Sequence, residues 1–527
     1  MPRKIEYPQV PLQGILHESA EKFPQKTAIV CGEREITYAR LDAVSNQFAN
    51  ALSKLGVKKG DRVAVFLPNV PEFIIAYFGT LKAGAVVTAI SPLHREREVE
   101  YQLRDSGAEA IVTLDSLFGV VDHVWAKTNL KNVIVASLDA SKAGLPSKPN
   151  VRGFHQLTEE ASAAALEVEI DPREDLAALQ YTGGTTGTPK AAMLTHSNLL
   201  SNALAFAAWI GGKPAQETFL TALPLFHIYG MTTSMTVPVS LAATMVLMPR
   251  FEPAKALEAI QRHGVTVFCG VPTMYQALLA SPELGRYDLT SVRVCISGAS
   301  PLPPNVQKRF MQVTGGFLAE GYGLTEASPV THCNPVDRSM RTVKVGSIGL
   351  PLPGTEARIV DLETGKPLAV GEVGELAVKG PQVMKGYWQR PEETAAVLRD
   401  GWLLTGDIAC VDAEGYFFIT DRKKDLIKYK DYSVYPRELE DVLYEHPAVK
   451  LCAVIGKPDS QAGEVPKAYV VLKEGAAVSA EEFMAFVNGK VASYKAIRMV
   501  AFRTELPVSS AGKVLRRLLE EEERLNS

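Results

Sequence analysis

LAALQY at residues 176–181, the run on through TGGTTGTPK to Lys190, and AAMLTHSNLL at 191–200 form one uninterrupted stretch. The first segment reads as a strand, and a helix start is expected near Thr195–Ser197. Between them, Tyr181–Lys190 holds three glycines and four threonines. Glycine lets a backbone approach a ligand closely and exposes N–H donors, while threonine hydroxyls and Lys190 add further donors and a charge. Together they make a cradle for phosphate. It is not a Walker A loop, because Gly187 is followed by Thr-Pro-Lys where that motif has Lys-Ser/Thr.

Outward from this stretch, strand candidates recur at Arg62–Leu67, Ala85–Ala89, Ala110–Leu114, Val133–Ala136, Thr244–Met248, Val265–Phe268 and Val292–Ile296. Amphipathic segments such as Ala254–His263 lie between them, with Ala256, Leu257 and Ile260 at helical spacing. That alternation predicts βαβ units and largely parallel sheets, an α/β domain. From about Ser347 the pattern changes to short strands with Gly/Pro turns, a β-rich subdomain over about 347–422. DRKKD at 421–425 marks a domain break, and the rest, with a helix at Pro436–Tyr444, predicts a small α+β domain. The expected division is therefore 1–422 and 423–527.

A chain of 527 residues exceeds the size at which one core stops growing. Net charge of −3 supplies no field that would draw the protein to nucleic acid, so polyanion binding must be local. Six cysteines lie far apart with no Cys-x-x-Cys pair, the usage of a reducing compartment. MPRKIEYPQV has no apolar h-region. The apolar run Leu220–Met248 is broken by Pro224, His227, Gly230 and Pro238, which suits a buried wall better than a membrane span. A cytoplasmic location follows as the expectation.

Further along, Glu320-Gly-Tyr-Gly-Leu-Thr-Glu326 offers a tyrosine that flanking glycines would let lie flat against a planar base. Thr325 adds a hydroxyl and Glu326 a hard oxygen ligand for Mg²⁺. Asp407, in Thr-Gly-Asp, could accept both hydroxyls of a ribose, and Asp421-Arg422 offers another ribose or phosphate contact. Ser509-Ser-Ala-Gly-Lys513 places one lysine on a glycine-softened loop before a charged helix. Each signal alone reads as polar side chains in contact with water; their order along one chain gives them force.

In that order YTGGTTGTPK, GYGLTE, TGD, DRKKD and the terminal SAGK lysine resemble the core motifs of the adenylate-forming superfamily over essentially the whole chain. SGASPLP, EGYGLTEASPVTH, KGPQVMKGYW and VYPRELE look most like its long-chain fatty-acid–CoA ligase branch. The resemblance implies a large N-terminal α/β domain of two doubly wound sheets plus the β-rich subdomain, and a small mobile α+β C-terminal domain. It implies that Thr182, Gly183, Gly184, Thr185, Thr186, Gly187 and Lys190 hold ATP phosphates, with adenine between Gly298, Ala299, Ser300 and Gly321, Tyr322, Gly323. It also implies Thr325 on the α-phosphate, Glu326 on Mg²⁺, and Asp407 and Arg422 on the ribose. Lys424 matches the hinge, Lys513 the catalytic lysine, and His227 the wall between acyl channel and adenylate. Lys428, Lys430 and Asp431 fall where the coenzyme A passage is expected.

The implied chemistry is carboxylate attack on the α-phosphate, release of pyrophosphate, then transfer of the acyl group to CoA. No covalent nucleophile is signalled, since Gly-x-Ser-x-Gly and His-Glu-x-x-His are both missing from the sequence. The small residues Gly230, Met231, Thr232, Thr233 and Ser234 suit a deep acyl channel and a medium or long chain. An aryl acid stays open at this stage, as does an adenylating enzyme without efficient CoA transfer. The expected partners are a small carboxylic acid, ATP, Mg²⁺ and CoA, with no nucleic acid and no integral membrane span. Peripheral membrane contact and a homodimer remain compatible with the sequence.

Two outcomes follow. Lys513→Ala should bring acid-dependent pyrophosphate exchange below about a tenth of native, one factor of ten in barrier terms, while ATP binding survives; faster exchange would remove Lys513 from the chemistry. Asp431 stands where the family usually has glycine, adding bulk and a negative charge beside a cofactor that carries phosphates. Asp431→Gly should therefore speed single-turnover transfer from acyl-adenylate to CoA and leave adenylation unchanged; equal or slower transfer would make Asp431 harmless or part of the CoA site.

Overall fold

The computed structural model describes residues 5–138, 148–182, 189–336, 343–423, 425–430, 432–459, 461–508 and 514–525. Contacts group the chain into two compact units, Met1–Glu356 with Lys379–Leu403, and Ala357–Val378 with Leu404–Ser527.

The first unit holds two large sheets. One has nine strands, and its centre is a parallel run of Phe317–Gly323, Val294–Ser297, Val267–Gly270, Thr218–Thr221, Thr244–Leu247 and Thr27–Cys31. The other has eight, with Val86–Ala89, Arg62–Phe66, Ala110–Leu114, Asn132–Ala136 and Val151–Gly153 parallel. Apart from Phe317–Gly323 and Val151–Gly153, these strands are rich in β-branched residues and largely buried on both faces, as parallel strands covered by crossover helices must be. All seven expected strands form, each within two residues of its predicted start, and the expected helix Ala254–His263 begins one residue earlier, on Pro253. A proline at the first helical turn has no orphaned N–H to lose.

Between the sheets lie the helices Tyr38–Lys54 and Pro71–Lys82. The first packs on Thr27–Cys31 and Arg34–Thr37 of the nine-stranded sheet, the second on Arg62–Phe66 and Val86–Ala89 of the other, and the two pack on each other. Every residue of Pro71–Lys82 is buried, so its charges need partners. Glu72 takes Arg34 at 2.8 Å, and Lys82 takes the Asp42 carboxylate at 2.5 Å and Asn46 Oδ1 at 2.7 Å. The Tyr38 hydroxyl, fully enclosed, donates to the Ala243 carbonyl at 2.7 Å and fastens the first helix to the nine-stranded sheet's own layer.

The second unit contains a five-stranded sheet built on Gly374–Lys379, Trp402–Val411 and Phe417–Arg422, the expected β-rich region. It also contains a sheet of Tyr432–Val434, Ile427–Tyr429, Gly463–Leu472, Val449–Asp459 and Met499–Phe502, with helices Pro436–Tyr444 and Ala480–Asn488. That is the α+β pattern read from the sequence. Among the described residues no helix is long and apolar enough to cross a membrane.

Gly79 marks the crossing of the two central helices. A Cβ there would meet Phe48 carbons at 2.7 and 2.9 Å and the Ser45 carbonyl oxygen at 2.9 Å. Alanine gains about 0.8–1.0 kcal/mol over glycine in helix propensity, but overpacking costs about 1–3 kcal/mol. The clash should win, because a backbone carbonyl cannot swing aside as a side chain can. Gly79→Ala should lower the midpoint of thermal unfolding; a rise would mean that the helices part at no cost.

Candidate active site

Leu176–Thr182 joins the eight-stranded sheet beside Val86–Ala89, but the chain does not then pass straight into a helix. It returns as a second strand, Lys190–Thr195, antiparallel to the first, with Thr182 opposite Lys190 and Tyr181 opposite Ala191. The phosphate loop thus joins the two strands of a hairpin. The helix itself starts where expected. Thr195 caps His196–Trp209, its hydroxyl accepting from the Asn198 N–H at 3.1 Å while Asn198 Oδ1 accepts from the Thr195 N–H at 2.9 Å. Gly183, Gly184, Thr185, Thr186 and Gly187 lie outside the described residues, as do Lys424, Asp431 and Lys513.

Both stems of the loop are anchored. The Tyr181 hydroxyl donates to the Asp105 carboxylate at 2.6 Å, which also holds Arg390 at 3.0 Å. The carbonyl of Pro189 accepts from the Tyr101 hydroxyl at 2.7 Å. Lys190 ion-pairs with Glu393, and its ammonium lies 5.3 Å from the centre of the Tyr387 ring. The Tyr387 hydroxyl in turn donates to Glu326 Oε1 at 2.7 Å. One side chain thereby joins the lysine of the first motif to the carboxylate of the second.

Glu326 sits in a short 3₁₀ turn, Thr325–Ala327, immediately after the strand Phe317–Gly323. That strand runs parallel to Val294–Ser297 with Glu320 opposite Ser297. Gly298–Ser300 and Gly321–Gly323 therefore leave the carboxyl ends of adjoining parallel strands, where open α/β sheets bind ligands. Gly323 is sterically required, and Gly298 is tightly packed. A Cβ on Gly323 would fall 2.1 Å from the Pro329 carbonyl oxygen, and one on Gly298 would press on the Tyr229 ring at 3.1 Å. Ala299 adopts φ +68, the left-handed region that a residue with a Cβ rarely takes. The Tyr322 ring lies 6.1 Å from that of His332 at 62°, edge on.

His227 precedes the helix Ile228–Met231 and caps it, Nδ1 accepting from the Tyr229 N–H at 3.2 Å. Nδ1 therefore carries no proton, and burial pushes the imidazole down to about 4, so the ring is neutral at physiological pH. Gly230 to Ser234 are buried, and Thr232 and Thr233 tie their hydroxyls to the Ser328 and Tyr229 carbonyls at 2.8 and 2.7 Å. The Tyr229 hydroxyl reaches the Ile296 carbonyl at 2.9 Å, linking the His227 segment to the strand that leads into Gly298.

In the second unit Asp407 and Arg422 stand opposite each other on antiparallel strands, carboxylate to guanidinium 3.2 Å. Glu375 backs this pair, accepting from the Gly406 N–H at 3.0 Å and from Lys423 at 2.9 Å. Asp421 differs from expectation. Its carboxylate turns inward to accept the Arg422 and Arg437 N–H groups at 2.7 and 2.8 Å, the latter in the first turn of the helix Pro436–Tyr444. Burial raises its carboxyl to about 6, and it is a helix anchor instead of a ribose contact. Lys428 N–H donates to the Glu464 carboxylate at 2.8 Å, and the Lys430 ammonium lies 5.7 Å from the Tyr429 ring centre, with φ +51.

Among the described residues no group of three or more His, Cys, Asp or Glu could hold a metal ion. Mg²⁺ does not need one: it is commonly held by one or two carboxylates, substrate phosphates and water. The Glu326 carboxylate suits that role, since Tyr387 engages only one of its two oxygens. Asp105, Tyr387, Arg390 and Glu393 are not singled out by the sequence, although Tyr387 falls within the phrase KGPQVMKGYW.

The AMP-binding enzyme model matches residues 16–388, and the AMP-binding enzyme C-terminal domain model matches 438–513. A long-chain-fatty-acid–CoA ligase of Bacillus subtilis (strain 168) is 46% identical over 100% of this chain and 97% of its own length. One from Escherichia coli O157:H7 is 39% identical over 97% of this chain and 94% of its own. The crystal structure of ATP-bound MatB from Rhodopseudomonas palustris superposes with a TM-score of 0.88 at 32% identity, covering 97% of this chain and 99% of that one. With these matches spanning nearly its whole length, the chain belongs to the AMP-binding enzyme family.

Proposed function

We propose that this protein is an AMP-forming acid–CoA ligase acting on medium- or long-chain fatty acids. The observation that carries the reading is the convergence of Lys190 and Glu326 on Tyr387, a cation and a hard carboxylate set beside the carboxyl ends of parallel strands. The two ligase relatives, similar over nearly their whole length, support the acid and thiol named here.

In the first step a carboxylate oxygen of the acid attacks the α-phosphorus of ATP in line, and pyrophosphate leaves. Thr182, Lys190 and the loop Gly183–Gly187 hold the phosphates, Thr325 touches the α-phosphate, and Asp407 with Arg422 grips the ribose. Gly298–Ser300 and Gly321–Gly323 enclose the adenine. Bound Mg²⁺ neutralises phosphate charge, and Glu326 would hold it. Catalysis rests on positioning and charge neutralisation. A cation about 4 Å from the developing charge is worth about 4 kcal/mol at an effective dielectric near 20, on the order of a thousandfold. Lys513 supplies that cation.

In the second step the CoA thiolate attacks the acyl carbon, the C–O bond to phosphate breaks, and AMP departs. Neutral His227 presents a wall to the adenylate without adding charge. We place the boundary of a mobile domain at 422/423, with Lys424 as hinge, so that Lys513 serves the first step and the passage near Lys428, Lys430 and Asp431 the second. A cytoplasmic location belongs to the same reading.

The test is a panel of acids in a pyrophosphate-release assay with and without CoA. Each methylene buried in a fitted channel contributes about 0.8 kcal/mol, roughly fourfold in kcat/KM. Specificity should climb with chain length until the channel is full, and multiple turnovers should require CoA. Equal use of acetate, decanoate and a cinnamate would contradict a fitted acyl channel; preference for the cinnamate would make the enzyme an aryl-acid ligase.

A further inference from the structure

We propose that Tyr387 is a positioning residue for the phosphate-binding groups: its hydroxyl aims the Glu326 carboxylate at the metal, and its ring seats the Lys190 ammonium. The inference rests on the roles proposed above for Lys190 and Glu326.

Tyr387 is held by the strand that leaves the phosphate loop. Gly386 and Tyr387 pair antiparallel with Met193 and Ala192, and the flanking Lys385 and Trp388 N–H groups donate to the Met193 and Ala191 carbonyls at 2.9 and 2.8 Å. The Tyr387 N–H also donates to Thr394 Oγ1 at 2.9 Å. Lys190 and the tyrosine beside it thus share one rigid ladder, so their spacing is set by backbone hydrogen bonds and not by side-chain chance.

The ring is nine-tenths buried, with its hydroxyl turned to Glu326. A phenol is protonated at neutral pH, so the hydroxyl donates. It can donate one hydrogen bond only, and that goes to Glu326 Oε1. Among the described residues Oε2 takes no partner, so the carboxylate is oriented by one oxygen and presents the other. A metal-binding carboxylate is commonly fixed by such an outer hydrogen bond. At its other end Lys190 lies over the ring while Glu393 balances its charge until phosphates arrive.

Were Tyr387 merely a buried residue satisfying its own hydroxyl, Mg²⁺ dependence would not notice its loss. Tyr387→Phe removes the donor and keeps the ring under Lys190. The measurement is calorimetric binding of α,β-methylene ATP, which cannot give up its adenylyl group because its α–β bridge does not cleave, across Mg²⁺ concentrations, for native protein, Tyr387→Phe and Glu326→Gln. The Mg²⁺ concentration giving half the full affinity should rise about tenfold in Tyr387→Phe, the lower end of the effect of losing an outer hydrogen bond. Affinity without Mg²⁺ should change less than about twofold, and turnover should show a larger change in the Mg²⁺ requirement than in kcat. Native Mg²⁺ dependence in Tyr387→Phe, with a raised requirement in Glu326→Gln, would overturn the role of Tyr387 alone. A lowered requirement would also overturn it, because Tyr387 would then be competing with the metal for the carboxylate. Native dependence in both variants would overturn the reading of Glu326 itself, and this inference with it.

Discussion

The antiparallel return of Lys190–Thr195 along Leu176–Thr182 is the constraint on which the nucleotide site depends. In a sheet otherwise built of parallel strands, that one reversal converts a glycine- and threonine-rich loop into a hairpin tip. The stems are then as rigid as the sheet, and a further strand, Gly386–Tyr387, is laid against the returning one. A P-loop reaches its anion through a helix N-terminus. Here the helix begins only after the second strand, capped by Thr195, so the donors must come from the loop itself and from cations brought to its mouth. Lys190 is the nearest of these, and its ion pair with Glu393 keeps a buried-side charge balanced.

Charge placement in the second unit follows the same logic with different partners. Asp407 and Arg422 face each other across two strands, and Glu375 holds the backbone of Gly406 and the ammonium of Lys423. Below them Arg516 gathers Glu440 at 2.6 Å and Asp425 at 2.8 Å, with Asp421 at 3.9 Å. The guanidinium is enclosed and its proton is held far more tightly than usual by these carboxylates. Three acids around one arginine bring Asp421, Asp425 and the helix Pro436–Tyr444 against the first turn of the helix Arg516–Leu525. Removing one partner from such a cluster leaves an uncompensated charge, commonly a loss of about 3–5 kcal/mol.

Much of this was legible in the sequence for local reasons. Strands buried on both faces write themselves as β-branched runs, which is why Arg62–Phe66 and Ala110–Leu114 stand out. Helix starts are written in a few residues, as in Thr195-His-Ser-Asn198 or Pro436. Motif glycines were legible too, and the steric reason at Gly323 lies six residues away at Pro329. What could not be read depends on distant segments meeting. KAAMLT looks like the apolar approach to a helix, and only its partner strand makes it a strand. Tyr387 is one aromatic among many until the ladder places it between Lys190 and Glu326. Asp421 looked like a ligand because its chain neighbours are polar; its aim is set by which backbone N–H groups the fold delivers. Nor does the sequence say that Asp105, far upstream, will hold both Tyr181 and Arg390.

The site contains a cation and a hard carboxylate at one place and no signalled nucleophile, an arrangement for moving charge on phosphorus while the substrate's own carboxylate does the attacking. That route has an isotopic signature. Decanoate carrying ¹⁸O in both carboxylate positions, turned over with ATP and CoA, should yield AMP bearing one ¹⁸O, because the oxygen that attacks phosphorus stays with it when the thiolate takes the acyl carbon. AMP without label, with ¹⁸O recovered in orthophosphate or pyrophosphate, would contradict attack at the α-phosphorus and with it the account of this site.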